Sequence, residues 1–241
     1  MRSYKGRGIV LNSLKYGDSA LVVHLLTDVC GRQSFIVQGV KSSRGRGSKM
    51  ALFQPLFALE FEGVESRYGD MHRFKEVQSG VLLQHTPYDI RRSTVALFIA
   101  EVLYRLVKES EPNPELFDYA WGSLIALDTI EEGVANFHLW FLANLSRLLG
   151  FYPNNAWQKG AWIDIAEGGY TAIKPPHTMI LSPEEAELMR DFTECDVRHL
   201  GEIGLNRAQR VEFLAALLRY YGYHLDSIKS VQSVEILREV F

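Results

Sequence analysis

The densest run of chemically capable side chains is Lys41-Ser42-Ser43-Arg44-Gly45-Arg46-Gly47-Ser48-Lys49, four cations on a glycine- and serine-rich backbone. Cations carried this way can follow a sugar-phosphate backbone without demanding a base sequence, and nearby rings can stack on unpaired bases. Tyr4, Tyr16, Phe35, Phe53 and Tyr68 are the aromatics of the same region. In a small barrel, however, most rings fill the core. Residues 45–50 superficially match a phosphate loop, but Met50 stands where the magnesium-binding hydroxyl is required.

Residues 1–50 hold nine basic side chains against two acidic ones, and residues 1–80 hold 12 against 7. The rest of the chain carries 14 against 22, so a formal net charge of −3 hides two oppositely charged ends. A basic N-terminal third implies a surface for a polyanion, and the acidic remainder excludes a protein that coats nucleic acid over its whole surface. The candidate contacts are Arg2, Lys5, Arg7, Lys15, Arg32, Lys41, Arg44, Arg46 and Lys49, with Phe35 as the stacking ring. The bland alternative is an ordinary solvated face.

Enzyme chemistry finds little support. There is no G-x-S-x-G elbow, no H-E-x-x-H, and no G-x-G-x-x-G between a strand and a helix. His24 sits inside an apolar run and reads as structural. Cys195 and His199 have i, i+4 spacing beside Asp191, Glu194 and Asp196, but no second Cys or His completes a metal site. Cys30 and Cys195 are the only cysteines and read as reduced thiols.

The elements that must position these residues change character along the chain. GIVLNS, ALVVHLLTD, RQSFIVQG, FQPLFALEFEG and MHRFKEV are short apolar or alternating runs with turn residues between them. Five such strands, with room for a helix only near Lys49 to Phe53, predict an antiparallel barrel of OB or SH3 type. After His85 the period becomes helical. Pro87 opens a first helix with Val95, Ile99, Val102 and Leu106 on its stripe, Asn113-Pro114 a second, and Phe137, Phe141, Leu145 and Leu148 mark a third that stops at Gly150. Residues 151–181 are aromatic and turn-rich, with a hairpin at Trp162–Ile165 and Tyr170–Ile173. Ser182-Pro183-Glu184-Glu185 then offers a capping box. A further helix presents Val211, Leu214, Leu218 and Tyr221, and Ser233 to Phe241 forms a short last one. The fold class is therefore α+β: a barrel over 1–82, then a helical domain over 83–241 with a hairpin insertion at about 151–181.

With 241 residues, 47% hydrophobic and 23% charged, the chain can bury a core without staples. It has neither an apolar run of membrane-spanning length nor a signal-type start, and reads as cytoplasmic.

The stretch GRGIVLNSLKYGDSALVVHLLTDVCGRQSFIVQGVKSSRGR, the Phe53-Gln54-Pro55-Leu56 element, LFIAEVLYRLVKESEPNPELFDYAWGSLIALD and NFHLWFLANLSRLLGFYPN together resemble the RecO family of bacterial recombination mediators. The likeness spans most of residues 6–154. It implies an N-terminal OB-fold, a C-terminal helical domain and a non-enzymatic role in DNA repair. It further implies binding of single- and double-stranded DNA, strand annealing, contact with the C-terminal tail of single-stranded DNA-binding protein, and action with RecR in loading RecA. Many members carry a four-cysteine zinc module after the Leu-Gly-Phe-Tyr-Pro element. Residues 154–176 here contain no cysteine, so no metal or cofactor is expected and the hairpin takes over the structural job. Two other classes remain open: a nucleotide-dependent enzyme gripping phosphate at 39–50, and a protein adaptor whose basic barrel meets an acidic partner.

Overall fold

The computed structural model describes residues 3–38, 49–65, 71–108 and 111–241. They form two compact units, Met1–Asp128 and Thr129–Phe241.

In the first unit five strands, β1 (Ser3–Tyr16), β2 (Ala20–Thr27), β3 (Gly31–Gln38), β4 (Ala58–Val64) and β5 (Met71–Ser79), close in the order β1-β2-β3-β5-β4. All ladders are antiparallel except the short β3–β5 pairing. This is the arrangement of an OB-fold. β1 serves both halves of the barrel, pairing β4 with its first residues and β2 with its last. A bulge between Val10 and Asn12 bends it from one partner to the other. Val10, Leu21, Val23, Leu25, Phe35, Val37, Phe53, Leu59 and Phe61 fill the interior. Residues 49–53 form a 3-10 turn, as the spacing allowed. The Gln54-Pro55-Leu56 element ends it with buried Leu56 at φ 63°. That backbone is held by the Leu56 amide donating to the Val10 carbonyl at 2.7 Å.

Two helices, α1 (Ile90–Leu106) and α2 (Pro114–Thr129), belong to the barrel's unit. α1 begins three residues later than Pro87 suggests. Asp89 is its N-cap and accepts from the Arg91 amide at 2.8 Å. The preceding connector is fixed by Asp128, whose buried carboxylate accepts from the Gln84, His85 and Thr86 amides at 2.8, 2.9 and 2.7 Å. Burial raises the pKa of this carboxyl, but the three amides outweigh it and leave it below the usual range.

The second unit contains α3 (Phe137–Leu148), α4 (Pro183–Glu194), α5 (Arg207–His224) and α6 (Ser233–Val240). The Ser182–Glu185 capping box is formed. α5 buries Phe213, Leu217 and Tyr220 along with Leu214 and Tyr221, whereas Val211 and Leu218 are only half-buried. Its core face is therefore rotated from the predicted one. Phe192 and Phe213 stack at 5.7 Å, and the Tyr221 hydroxyl donates to the Leu142 carbonyl at 2.6 Å. The hairpin insertion is β6 (Trp162–Asp164) with β7 (Gly169–Thr171), widened by β8 (Ile180–Leu181). Asn155 clamps the Tyr170 backbone from both sides, at 2.8 and 2.6 Å. Asp164 accepts from the Ala166 and Glu167 amides.

Candidate nucleic-acid interface

Among the described side chains of residues 1–80, six cations (Lys5, Arg7, Lys15, Arg32, Arg73, Lys75) face six acids (Asp18, Asp28, Glu60, Glu62, Glu65, Glu76). The described part of the barrel is therefore close to neutral. The positive surplus of this third of the chain belongs to Arg2, Lys41, Arg44, Arg46, Lys49 and Arg67. Of these, Arg2, Lys41, Arg44, Arg46 and Arg67 lie outside the described residues, and Lys49 enters only as the first backbone residue of the 3-10 turn.

The two points at which residues 39–48 join the barrel are defined. Gln38 ends β3 opposite Ala20, beside the β1–β2 turn. At the far end of the 3-10 turn the Phe53 carbonyl accepts from the Ser13 hydroxyl of β1 at 2.7 Å. Both connections lie on the arm formed by the last residues of β1 and the first of β2. Lys15 is exposed on that arm, next to Leu14 and Tyr16.

Two predicted contacts are committed elsewhere. Arg7 lies 3.0 Å from Asp28 and 3.8 Å from Asp118, with its guanidinium 5.1 Å from the Phe117 ring centre and 5.3 Å from that of Trp121. It fastens β1 to α2. Arg32 donates to the carbonyls of Tyr104 and Val107 at 3.0 and 2.9 Å, at the C-terminal end of α1. Orphan carbonyls and the negative helix end make that a natural seat for a cation.

Phe35 requires a correction. It is fully buried and stacks on Phe74 at a centroid distance of 4.3 Å, so neither ring face is open to a base. Phe53 is likewise interior, and Tyr4 is half-buried with its hydroxyl 2.6 Å from His72 Nδ1. His24 is structural, 2.9 Å from the Ser34 hydroxyl. Cys195 and His199 do not share a helix: Cys195 caps α4, and His199 lies in a separate 3-10 turn.

Lys5 is exposed on β1 opposite Glu62. It borders an open cleft of about 950 Å³ that also takes in Arg7, Glu60, Glu62, Lys75 and Glu76. Lys75 binds Glu62 at 2.8 Å, and this hydrogen bond, with a second from Ser3, holds the Glu62 carboxyl below its usual range. Four cations and four carboxylates line that cleft, Arg73 and Asp28 among them, so attraction for a polyanion there is local to the exposed Lys5 and Arg73 and not a property of the cleft as a whole. Arg73, which the sequence reading passed over, is exposed on β5 opposite Ile36. Its signal was the alternation Met71, Arg73, Lys75 along one face of MHRFKEV.

The family model "Recombination protein O N terminal" matches residues 1–80, and "Recombination protein O C terminal" matches residues 87–232. The chain is 37% identical over 236 residues to a DNA repair protein RecO of Bacteroides fragilis, covering 97% of each. It is 35% identical over 235 residues to that of Phocaeicola vulgatus, with 97% of each covered. The corresponding protein of Flavobacterium psychrophilum is 33% identical over 238 residues, with 98% of each covered. Two family models that together take in barrel and helices, and relatives aligned over nearly their whole length, establish that this chain belongs to the RecO family.

Proposed function

We propose that the chain is a DNA repair and homologous-recombination mediator that works by binding, without catalysis. It binds single- and double-stranded DNA, anneals complementary strands, and with RecR helps load RecA onto single-stranded DNA coated by single-stranded DNA-binding protein, whose C-terminal tail it contacts. The DNA contacts are Arg2, Lys5, Lys15, Lys41, Arg44, Arg46 and Lys49, joined by Arg73. Arg7 and Arg32 are assigned to architecture.

The observation that carries this reading is the separation of charge: the described barrel is near-neutral, and four of the six surplus cations, Lys41, Arg44, Arg46 and Lys49, fall in the one segment that joins it at the β1–β2 arm. Cations set on such a frame offset the repulsion between two approaching phosphate backbones and leave bases free to pair. Family membership supports the DNA repair role.

The test is fluorescence anisotropy of a labelled single-stranded oligonucleotide across a salt series, with the complementary strand added afterwards. Neutralising Arg44, Arg46 and Lys49 together should weaken binding for all sequences and flatten the salt slope by about 0.7 log units per lost contact. Wild-type protein should speed annealing. Absence of binding at low salt overturns the reading and leaves an adaptor for an acidic protein.

A further inference from the structure

The outer face of the barrel sheet does not look like a face turned to water. Side chains alternate along a strand, so the neighbours of interior Leu21, Val23, Phe35 and Val37 must point outward. An antiparallel sheet with one solvated side normally carries polar residues there. The register instead sets out one outer row of Leu14, Val22, Ile36 and Arg73, and another of Tyr16, Ala20 and Gln38. Leu14 and Tyr16 are 49% and 56% exposed. Neither row contains a carboxylate. Beyond His24 the face is closed by Tyr104 of α1, whose ring centre is 5.2 Å from that of His24, so the open part is the arm.

Tyr16 is the one exposed aromatic among the described barrel residues. Its ring is carried on a rigid element, because the β1–β2 ladder runs unbroken from Asn12 to the Tyr16–Ala20 pair beside the turn. Gly17, with φ 64° and no atom within 4 Å of a built Cβ, leaves the space at the tip open. An apolar row ending in the exposed Arg73 guanidinium suits a ligand that is flat and apolar on one side and anionic on the other. Unpaired bases on a phosphate backbone have that chemistry. Paired bases hide their faces within the stack.

We propose that Tyr16, with Leu14 and Val22, forms the platform on which unpaired bases of single-stranded DNA stack, so that the arm reads strandedness while the cations supply attraction common to both forms. This rests on the DNA-binding reading above.

The test compares full-length wild type with Tyr16→Ala, Tyr16→Phe and Leu14→Ser/Tyr16→Ala in anisotropy titrations at fixed salt. The probes are a single-stranded oligonucleotide, a duplex of equal length, and a single strand with abasic sites over its central half. Unfolding in urea checks that each variant folds; Tyr16 is exposed, so its midpoint should hold. Stacking on one ring predicts that Tyr16→Ala weakens single-strand binding about 5- to 100-fold. Duplex binding should change less than twofold, the salt slope should stay the same, and Tyr16→Phe should keep wild-type affinity. Wild type should lose affinity for the abasic strand, and Tyr16→Ala should not distinguish abasic from intact. If wild type binds DNA and Tyr16→Ala binds the single strand equally well, the platform is refuted and the face belongs to a protein partner. Equal loss on single strand and duplex also refutes it, since that marks a backbone contact. Failure of wild type to bind any probe sinks the DNA-binding reading itself.

Discussion

The guanidinium of Arg32 lies 4.2 Å from the centre of the Tyr104 ring while donating to the Tyr104 and Val107 carbonyls. One side chain thus ties β3 to the end of α1 through two charge-assisted hydrogen bonds and a cation–π contact. Arg32→Gln should cost about 2 kcal/mol of stability by leaving those carbonyls unpaired. The measurement is the urea midpoint, with DNA titrations run well below it. A changed salt slope with unchanged stability would return Arg32 to the DNA surface.

Gly31 and Gly17 share a left-handed backbone, at φ 62° and 64°, in different surroundings. A Cβ on Gly31 would sit 2.2 Å from the Glu111 carbonyl oxygen, whereas one on Gly17 would meet nothing within 4 Å. Gly17→Ala should therefore cost only about 1 kcal/mol, the backbone strain alone. Gly31→Ala should cost roughly 3 kcal/mol or more, because backbone must move as well. Equal midpoints for the two variants would contradict the packing of residue 111 against the β2–β3 turn.

His138 is fully buried, and burial together with nearby Arg210 pushes its pKa down to about 3. The unfolded chain then binds one more proton than the folded one between about pH 6.5 and 3. Stability should fall as the pH drops through that window, by at most about 1.4 kcal/mol per pH unit from this group. His138→Leu should remove that slope in urea unfolding at stepped pH. A slope unchanged by the substitution rules His138 out as its source.

Asp128 acts in a lower window, because its carboxyl titrates below the ordinary aspartate value. Its contribution is present above the unfolded pKa and lost as pH falls through the folded one. Asp128→Ala should cost about 3 kcal/mol and Asp128→Asn less, since a carbonyl oxygen can still accept from the connector amides. Hydrogen exchange at Gln84, His85 and Thr86 should quicken first. Exchange rates identical to wild type would show that the amides are protected by something else.

All five strands were legible because turn residues punctuate their apolar runs, and α3 and α4 because stripe and cap agree locally. The start of α1 was not, since the Tyr88 and Asp89 amides close a separate turn on the His85 carbonyl, in a connector anchored by distant Asp128, and the helix starts only after its Asp89 cap. Phe35 was misplaced for a related reason. Its neighbour Ile36 is also apolar, so alternation in RQSFIVQG cannot say which of the two faces inward until β2 supplies the register. Arg7 and Arg32 look like surface cations in sequence because nothing local reveals a helix end or a Trp121 waiting for them. The arm carrying Lys15 and Tyr16 was visible as a turn, but its outward apolar row needs three strands side by side.

Among the described residues, the parallel pairing of Ser34–Ile36 with Met71–Arg73 is the shortest of the barrel's seams, and it joins segments far apart in the chain. Both hairpins, β1–β2 and β2–β3, assemble from neighbours and can form early, whereas this seam requires a large loop to close first. The β1–β4 ladder closes a still larger loop but is secured by more pairs, so the short β3–β5 seam should be the first to open in the native state. Transient opening there would bare the edges of β3 and β5 next to Arg73, placing the barrel's least cooperative region beside its outer binding row.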